Sequence, residues 1–427
     1  MDFFRIRSRK SSKKAVMRLA SNIATILSDT LRGTKICAWL FFMLLPRLEV
    51  NMLSRWFAAL LSVMLWGSGV SFAQATQSLR VFTWDGYVTD ADIINVNVLL
   101  AENDYDIKVE VIDTFADDAD QMFNVIRSGH VDVAFLTLFF IKMKGQRIER
   151  LLQPIDTNSS RLSNYKALEP TLTDIPIGMQ GSDKLYIPWG GGAYGFYANR
   201  DVVSQEEQPV SLADLWKPQW KGKVSFNRSQ EWYNIGITLM AMGKSPFYIN
   251  QLVEQDRREE LLQLKAENSG FVKKLALLYG NAGNLWNSGT VFSDNLHIVS
   301  SWGPEIVREN KKGANWQLIQ FKEGNMVWLD TINFVGTLQG KKLEAAEIFA
   351  NYFIGKQVQN RIVNALSMVA ASTLVDRNPL IDNNAAFFQN ELFVPPYDTV
   401  SGNVVTSLTN RALVKSEVLM SKKEEAK

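Results

Sequence analysis

Cysteine and histidine are nearly absent from this sequence, and neither sign of charge dominates it. One cysteine in 427 residues excludes a disulfide framework, and with only two histidines a zinc-type metal site has too few ligands. Lysine plus arginine (46) and aspartate plus glutamate (44) nearly cancel, so nothing in the charge indicates a nucleic-acid partner. The 46% of hydrophobic residues is typical of a globular chain with a sizeable core.

Signatures of common enzyme classes are missing too. The chain has no G-x-S-x-G, no G-x-x-x-x-G-K-[ST] and no H-E-x-x-H. The three glycines at 190–192 lack the spacing of a dinucleotide-binding loop, and we expect a flexible strand crossing there, where the backbone bends. His130 and His297 are interpreted as structural or surface histidines. The sequence therefore predicts no enzyme, no cofactor and no metal.

Positive charge is concentrated at the N-terminus. Residues 1–51 carry ten lysines and arginines against three acids. In residues 52–75 one arginine precedes an apolar run and then small residues, the pattern of a signal peptide that is cleaved after Ala73 or Ala75. The exported chain would be acidic and free of cysteine. Two explanations of residues 1–51 stay open: an over-long gene model that truly starts at Met52, which we favour, or a basic membrane-proximal segment.

Strand and helix patterns alternate through the exported chain. Apolar residues fall at every other position in 79–84 and 107–112, and 131–138 has the continuous apolar pattern of a buried strand. Helical stretches separate these strands, which is typical of βαβ units in a parallel sheet. No linker interrupts the alternation, so we predict two α/β lobes connected by strand crossings. Ligands of such sheets bind beyond the carboxyl ends of the strands.

An aromatic residue lies beside a carboxylate at four predicted strand ends. The four segments are Trp84-Asp85-Gly86-Tyr87, Glu231-Trp232-Tyr233, Trp302-Gly303-Pro304-Glu305 and Trp328-Leu329-Asp330. For any one pair, a core tryptophan beside a surface acid is the more common explanation. Four pairs at strand ends that converge in this kind of fold favour a binding site.

This combination of side chains suits an organic cation. An ammonium group over an aromatic face gains about 0.5–1 kcal/mol when exposed and about 2 kcal/mol when desolvated. A carboxylate accepts its N–H groups in charge-assisted hydrogen bonds, and aromatic walls bury methylenes at about 0.8 kcal/mol each. A molecule with alternating ammonium and methylene groups would use all three effects, provided that carboxylates match amines in number.

The same segments resemble the periplasmic polyamine-binding proteins, the spermidine/putrescine receptors of ABC transporters. The similarity extends from about Leu79 to Tyr397 and includes four further segments: Asp132 to Thr137, Ile187 to Asn199, Glu323 to Asp330 and Phe393 to Pro396. The resemblance implies an α/β protein of the type II solute-binding class, in which two lobes joined by hinge strands close on a ligand cleft. It also implies a periplasmic location in a Gram-negative cell.

The resemblance places the lobes and completes the predicted site. Residues 76–190 and 334–369 are expected in lobe 1, and 191–333 and 370–427 in lobe 2. The predicted aromatic walls are Trp84, Tyr87, Trp302 and Trp328. The predicted ammonium partners are Asp85, Glu305 and Asp330. The resemblance adds a hydroxyl from Thr137 with Phe139 at a following aromatic position, Trp189 at the first crossing, and Glu231, with Trp232 competing for its place.

The resemblance leaves two functions open. One is a receptor that delivers a linear polyamine to an inner-membrane ABC permease. The other is a polyamine sensor that signals to a membrane-bound cyclic-di-GMP receptor protein. An iron receptor of the same fold would need adjacent tyrosines, and no Tyr-Tyr pair occurs. We expect a monomer with a small-molecule ligand. Gly191, Met368 and the added carboxylate of Asp85 depart from the family pattern, and we expect these changes to favour a triamine over putrescine.

Overall fold

A computed structural model describes residues 77–424, apart from positions 118, 144, 146, 288, 383 and 385. The predictions for residues 1–51 and for the signal peptide at 52–75 lie outside the described residues. The described strands are β1 (Gln77–Phe82), β2 (Ile107–Val111), β3 (Val133–Thr137), β4 (Met179–Gln180), β5 (Asp183–Lys184), β6 (Ile187–Ala193), β7 (Gly195–Asn199), β8 (Val224–Asn227), β9 (Asn284–Trp286), β10 (Ile298–Ser301), β11 (Trp316–Leu318), β12 (Val327–Phe334) and β13 (Val369–Ala370).

Helices separate most of these strands and cover the sheets. The α-helices are α1 (Asp90–Glu102), α2 (Ala119–Arg127), α3 (Pro170–Thr173), α4 (Glu231–Met240), α5 (Tyr248–Glu254), α6 (Arg258–Lys265), α7 (Gly270–Asn281), α8 (Pro304–Lys311), α9 (Gly340–Phe353), α10 (Lys356–Leu366) and α11 (Thr399–Glu424). Short 3-10 helices connect several of them. No helix in the described part of the chain is long and apolar enough to cross a membrane.

Two separate sheets form the centres of two lobes. The first sheet has the order β13-β6-β12-β3-β1-β2, and the second has the order β11-β7-β10-β8-β9. In the first, β1 is parallel to β2 and β3, while β12 is antiparallel to β3 and β6. In the second, β8, β9 and β10 are parallel and β7 is antiparallel. The three strands predicted near the start of the exported chain correspond to β1, β2 and β3.

The chain crosses between the lobes within or beside its strands. One residue, Tyr194, separates β6 of the first sheet from β7 of the second. The chain returns between β11 and β12, and α11 later packs along α7 in the second lobe. The predicted lobe boundary at 369/370 falls inside β13 of the first sheet and needs correction. The boundaries at 190/191 and 333/334 need correction too, because they fall inside β6 and β12. Both strands are continuous members of the first sheet, so the crossings lie at residue 194 and between 318 and 327.

The three consecutive glycines lie inside β6 and do not form the bend that the sequence predicted. A Cβ atom at Gly190 would come within 2.6 Å of Ile362, and one at Gly192 within 2.9 Å of the Trp328 ring. A Cβ atom at Gly191 would come within 2.5 Å of the Trp328 carbonyl oxygen. Glycine is required here because neighbouring groups occupy the space of a side chain. The run permits close packing of β6 against β12 and β13.

The loop after β1 is fixed by α1 and α10. Thr89 and Asp92 form a capping box at the start of α1, in which each side chain accepts from the other residue's backbone N–H. Arg361 of α10 donates to the Asp92 carboxylate at 2.8 Å and to the Tyr87 carbonyl oxygen at 3.0 Å. These contacts set the position of Tyr87, which the candidate site uses.

The close packing at β6 predicts the effect of one added methyl group. Gly191→Ala should lower the free energy of unfolding by about 1–3 kcal/mol, the usual cost of overpacking a filled interior. Gly280→Ala is the matched control, because a Cβ atom there would meet its nearest neighbour at an ordinary 3.6 Å. Urea unfolding of both variants measures the difference. Equal stability of the two variants would contradict the packing explanation.

Candidate ligand-binding site

A cavity of about 590 Å³ lies between the lobes. The first lobe contributes the loop after β1, the end of β3 and the middle of β12, and the second contributes the start of α4 and the end of β10. The segment before α11 and the first turns of that helix complete the wall. The described lining residues are Trp84, Tyr87, Asp117, Ala119, Thr137, Phe139, Phe140, Ser229, Gln230, Glu231, Trp232, Tyr233, Trp302, Pro304, Trp328, Asp330, Met368, Val394, Tyr397, Gly402 and Thr406.

Asp330 is the buried charged group of this cavity. It lies in the middle of β12, opposite Thr137 of β3, so the two side chains lie side by side. The Thr137 hydroxyl donates to its Oδ1 atom at 2.6 Å, and the Tyr87 hydroxyl donates to its Oδ2 atom. Only 3% of Asp330 is exposed. Two strands and the loop after β1 thus converge on one carboxylate.

Burial changes the ionisation of this carboxylate. Loss of water raises the pKa of Asp330 to about 6, although the hydrogen bonds from Thr137 and Tyr87 oppose that rise. Burial and the Asp330 charge also raise the pKa of Tyr87 well above its usual value, so its hydroxyl remains a donor. Among the described residues, no lysine or arginine forms an ion pair with Asp330. The carboxylate therefore lacks the cation that would compensate its charge.

Aromatic rings surround the space beside Asp330. Trp302 lies 6.2 Å from Trp328 and 5.0 Å from Tyr233, centroid to centroid, with both pairs edge to face. Such edge-to-face pairs attract each other and fix the orientation of the rings. Trp84 lines the same cavity from the loop after β1. The walls therefore offer the ring faces that organic cations and methylene chains contact.

Two further carboxylates line the cavity. Glu231, the first residue of α4, accepts a hydrogen bond from the Thr406 hydroxyl at 2.6 Å. Asp117 lies in the loop that leads to α2. Together with Asp330 they make three acidic groups, while the described lining residues include no lysine or arginine. The charged groups in the described lining of the cavity are therefore all acidic.

Seven of the ten predicted site residues lie at this cavity. They are Trp84, Tyr87, Thr137, Glu231, Trp302, Trp328 and Asp330. The competing candidate Trp232 and the expected aromatic Phe139 line it as well. Each lobe contributes two of the four strand-end segments, and all four meet at the cavity. Residues up to 246 positions apart in the sequence therefore lie at one site.

The other three predicted residues lie away from the cavity. Asp85 is exposed in the turn that follows Trp84. Glu305 lies in the first turn of α8, where it accepts from the Ser301 hydroxyl and pairs with Arg308, each at 3.2 Å. Trp189 is fully buried as the extra residue of a β-bulge opposite Asp330 and packs 4.3 Å from the Tyr87 ring. The bulge turns its side chain behind the cavity wall.

Several lining residues were not predicted from the sequence. Tyr233 directly follows Trp232, but its role depends on how α4 enters the cavity. Phe140 lies in the 3-10 helix Leu138–Lys142 that follows β3, and Asp117, Tyr397 and Thr406 lie in loops or in α11. The only available signal was the pair of prolines before Tyr397, which indicates a rigid segment.

Comparison with known proteins identifies the class of this chain. Residues 120–391 match the family model described as bacterial extracellular solute-binding protein. The match covers more than half of the chain, which therefore belongs to the bacterial extracellular solute-binding proteins. This family, together with the two sheets and the cavity between them, confirms the predicted two-lobed solute-binding fold.

Individual relatives refine this comparison. One relative is spermidine/putrescine-binding periplasmic protein 1 of Haemophilus influenzae, to which the chain is 26% identical over 299 residues. The aligned part covers 69% of this chain and 75% of the relative. A second relative is the spermidine/putrescine-binding periplasmic protein of Escherichia coli, to which the chain is 22% identical over 344 residues. The aligned part covers 79% of this chain and 90% of that relative. The resemblance predicted from the sequence motifs is confirmed.

A solved structure gives the same fold. The spermidine/putrescine ABC transporter substrate-binding protein PotD from Streptococcus pneumoniae superimposes with a TM-score of 0.61 at 17% identity. The superposition covers 80% of this chain and 99% of that chain. At this identity the likeness concerns the fold alone.

The buried carboxylate predicts a pH-dependent stability difference. Asp330→Asn should raise the free energy of unfolding of the ligand-free protein at pH 7.5 by up to about 3 kcal/mol, the equivalent of a pKa raised by about two units. The reason is that the native state binds the Asp330 proton more tightly than the unfolded state does. The stability that Asp330 contributes is full below about pH 4 and is lost as the pH rises through about 6.

Urea unfolding of parent and variant at pH 4 and pH 7.5 measures this difference. The gain should be present at pH 7.5 and close to zero at pH 4. Asp85→Asn, which changes an exposed carboxylate, is the matched control and should give no gain at either pH. A gain of the same size at both pH values would show that charge burial is not its cause.

Proposed function

We propose that this protein is a receptor for a linear polyamine of the spermidine, norspermidine and putrescine class. The observation that carries the proposal is the buried Asp330 carboxylate, which has two hydroxyl donors, no cation within the described residues and aromatic rings beside it. A ligand ammonium would supply the missing charge and donate to the carboxylate, while its methylenes would contact Trp302 and Trp328. The names of the two relatives support the same ligand class.

The number of acidic groups favours a triamine. The buried Asp330, the half-buried Glu231 and the exposed Asp117 all line the cavity, so a ligand with three ammonium groups could place one beside each carboxylate. Putrescine carries only two amines and could contact only two of the three carboxylates. Met368 adds an apolar, unbranched side chain to the wall and suits the methylene segments. We therefore expect spermidine or norspermidine to bind more tightly than putrescine.

Delivery to an inner-membrane ABC permease is the role that we favour. The named relatives are binding proteins for spermidine and putrescine, and the structural neighbour is the substrate-binding protein of an ABC transporter. The alternative is a sensor that presents its closed lobes to a membrane-bound cyclic-di-GMP receptor protein. Both roles would use the same cavity and a periplasmic monomer. Loss of polyamine uptake after deletion of the gene would favour transport, whereas unchanged uptake with altered cyclic-di-GMP would favour sensing.

A ligand panel tests the proposed ligand class. Spermidine and norspermidine should raise the melting temperature most, because a ligand that binds only the native state stabilises it by about 2.7 kcal/mol at one hundred times its dissociation constant. Putrescine should give a smaller shift at the same concentration. Amino acids, sugars and ferric ion are the negative controls. A shift with a control and with no polyamine would contradict the proposal.

Asp330 tests the proposed contact with the ligand ammonium. Asp330→Asn should weaken spermidine binding by about 2–5 kcal/mol, the usual effect of removing one partner of a buried charged pair. Asp85→Asn and Glu305→Gln should bind as the parent does, because both side chains lie away from the cavity. Isothermal titration calorimetry at pH 7.5 measures all four proteins. If either control variant bound spermidine more weakly and Asp330→Asn bound it normally, Asp330 would not be the residue that contacts the ligand ammonium.

A further inference from the structure

The segment before α11 passes along the cavity from one lobe to the other. At its start, Phe393 pairs as a parallel β-bridge with Val327, the first residue of β12 in the first sheet. At its end, α11 begins at Thr399 and packs along α7 of the second lobe. Tyr397 lies between these two attachments and lines the cavity. The family model ends at residue 391, so this segment lies beyond the part of the chain that the model matches.

The Tyr397 ring contacts aromatic residues of both lobes. Its centroid lies 4.6 Å from that of Trp232, in the first turn of α4 in the second lobe. It also stacks on Phe139, which follows β3 in the first lobe, at 6.2 Å and an interplanar angle of 27°. Both distances are within the range in which aromatic pairs attract. One ring thus joins the lobes across the cavity.

The backbone around Tyr397 restricts where this ring can lie. Pro395 and Pro396 precede it and fix two φ angles. Beyond it, the Thr406 hydroxyl of α11 donates to Glu231 at 2.6 Å, which links the helix to the start of α4 beside Trp232. The ring is therefore held from the side of the second lobe. A rotation that separates the lobes would break the contact with Phe139 and keep the contact with Trp232.

We propose that Tyr397 is an aromatic clasp that holds the two lobes closed and slows release of the ligand. It acts as a positioning residue through Phe139 and Trp232. Loss of the ring removes an attraction that exists only when the lobes are together, so it shifts the population towards the open form and raises the dissociation rate. The effect on release rests on the proposed polyamine binding, whereas the effect on the lobes does not.

The first measurement concerns the lobes without ligand. Spin labels at Lys108→Cys in the first lobe and Lys221→Cys in the second, in a Cys37→Ser background, report the distance between the lobes by double electron–electron resonance. Both lysines are exposed, and Cys37 is the only native cysteine. Tyr397→Ala should shift the distance distribution away from that of the parent. Tyr397→Phe keeps the ring and should restore the parent distribution. Tyr105→Ala is the matched control, because it deletes a tyrosine ring in the outer part of the first lobe.

The second measurement concerns ligand release. Spermidine dissociation followed by stopped-flow tryptophan fluorescence should be about two- to tenfold faster in Tyr397→Ala, the size expected for loss of one aromatic pair. The clasp would be overturned if Tyr397→Ala had the same interlobe distances and the same spermidine dissociation rate as the parent. It would also be overturned if the interlobe distances of Tyr397→Phe were as long as those of Tyr397→Ala. If spermidine fails to bind the parent protein, the proposed function fails, while the distances measured without ligand still decide the clasp.

Discussion

An ionisable carboxylate kept away from water is the constraint on which the cavity depends. Asp330 lies in a central strand, and the protein offers it hydroxyl donors without a cation among the described residues. Such a group is costly in the empty protein and becomes favourable only when a positive charge arrives. The surrounding rings can contact that charge without competing for the carboxylate. Asp330 is therefore the natural partner for the ammonium group of the proposed ligand.

The architecture brings this carboxylate to the boundary between the lobes. β12 is the first strand after the chain returns from the second lobe, so Asp330 lies only a few positions beyond the crossing. The bulge at Trp189 and the glycines beside it let β6 lie close to β12 at this point. Close packing behind the wall keeps water from reaching the carboxylate from the first lobe. The part of Asp330 that stays accessible is only 3%, and the side chain lines the cavity.

Local sequence patterns predicted the lobes and most of the walls, because strand ends converge in this class of fold. They could not decide which of two neighbouring residues faces the ligand: Trp84 lines the cavity, whereas Asp85 turns outward. Trp189 was misplaced because a bulge reverses the alternation of side chains. The glycines that follow it indicated an irregular backbone but not which residue would be the extra one. The contribution of α11 could not be predicted either, because it depends on how a distant helix packs.

The crossing from β6 to β7 has a consequence for how ligand choice can change. Tyr194 is its one residue, and its hydroxyl donates to Ser300 and accepts from the Asn227 N–H, both in the second lobe. A connection of one residue cannot extend further, so the two sheets can tilt about it but cannot move apart. A longer ligand therefore cannot be accommodated by spacing the lobes. Selectivity among ligands of different length would therefore depend on the side chains that line the cavity.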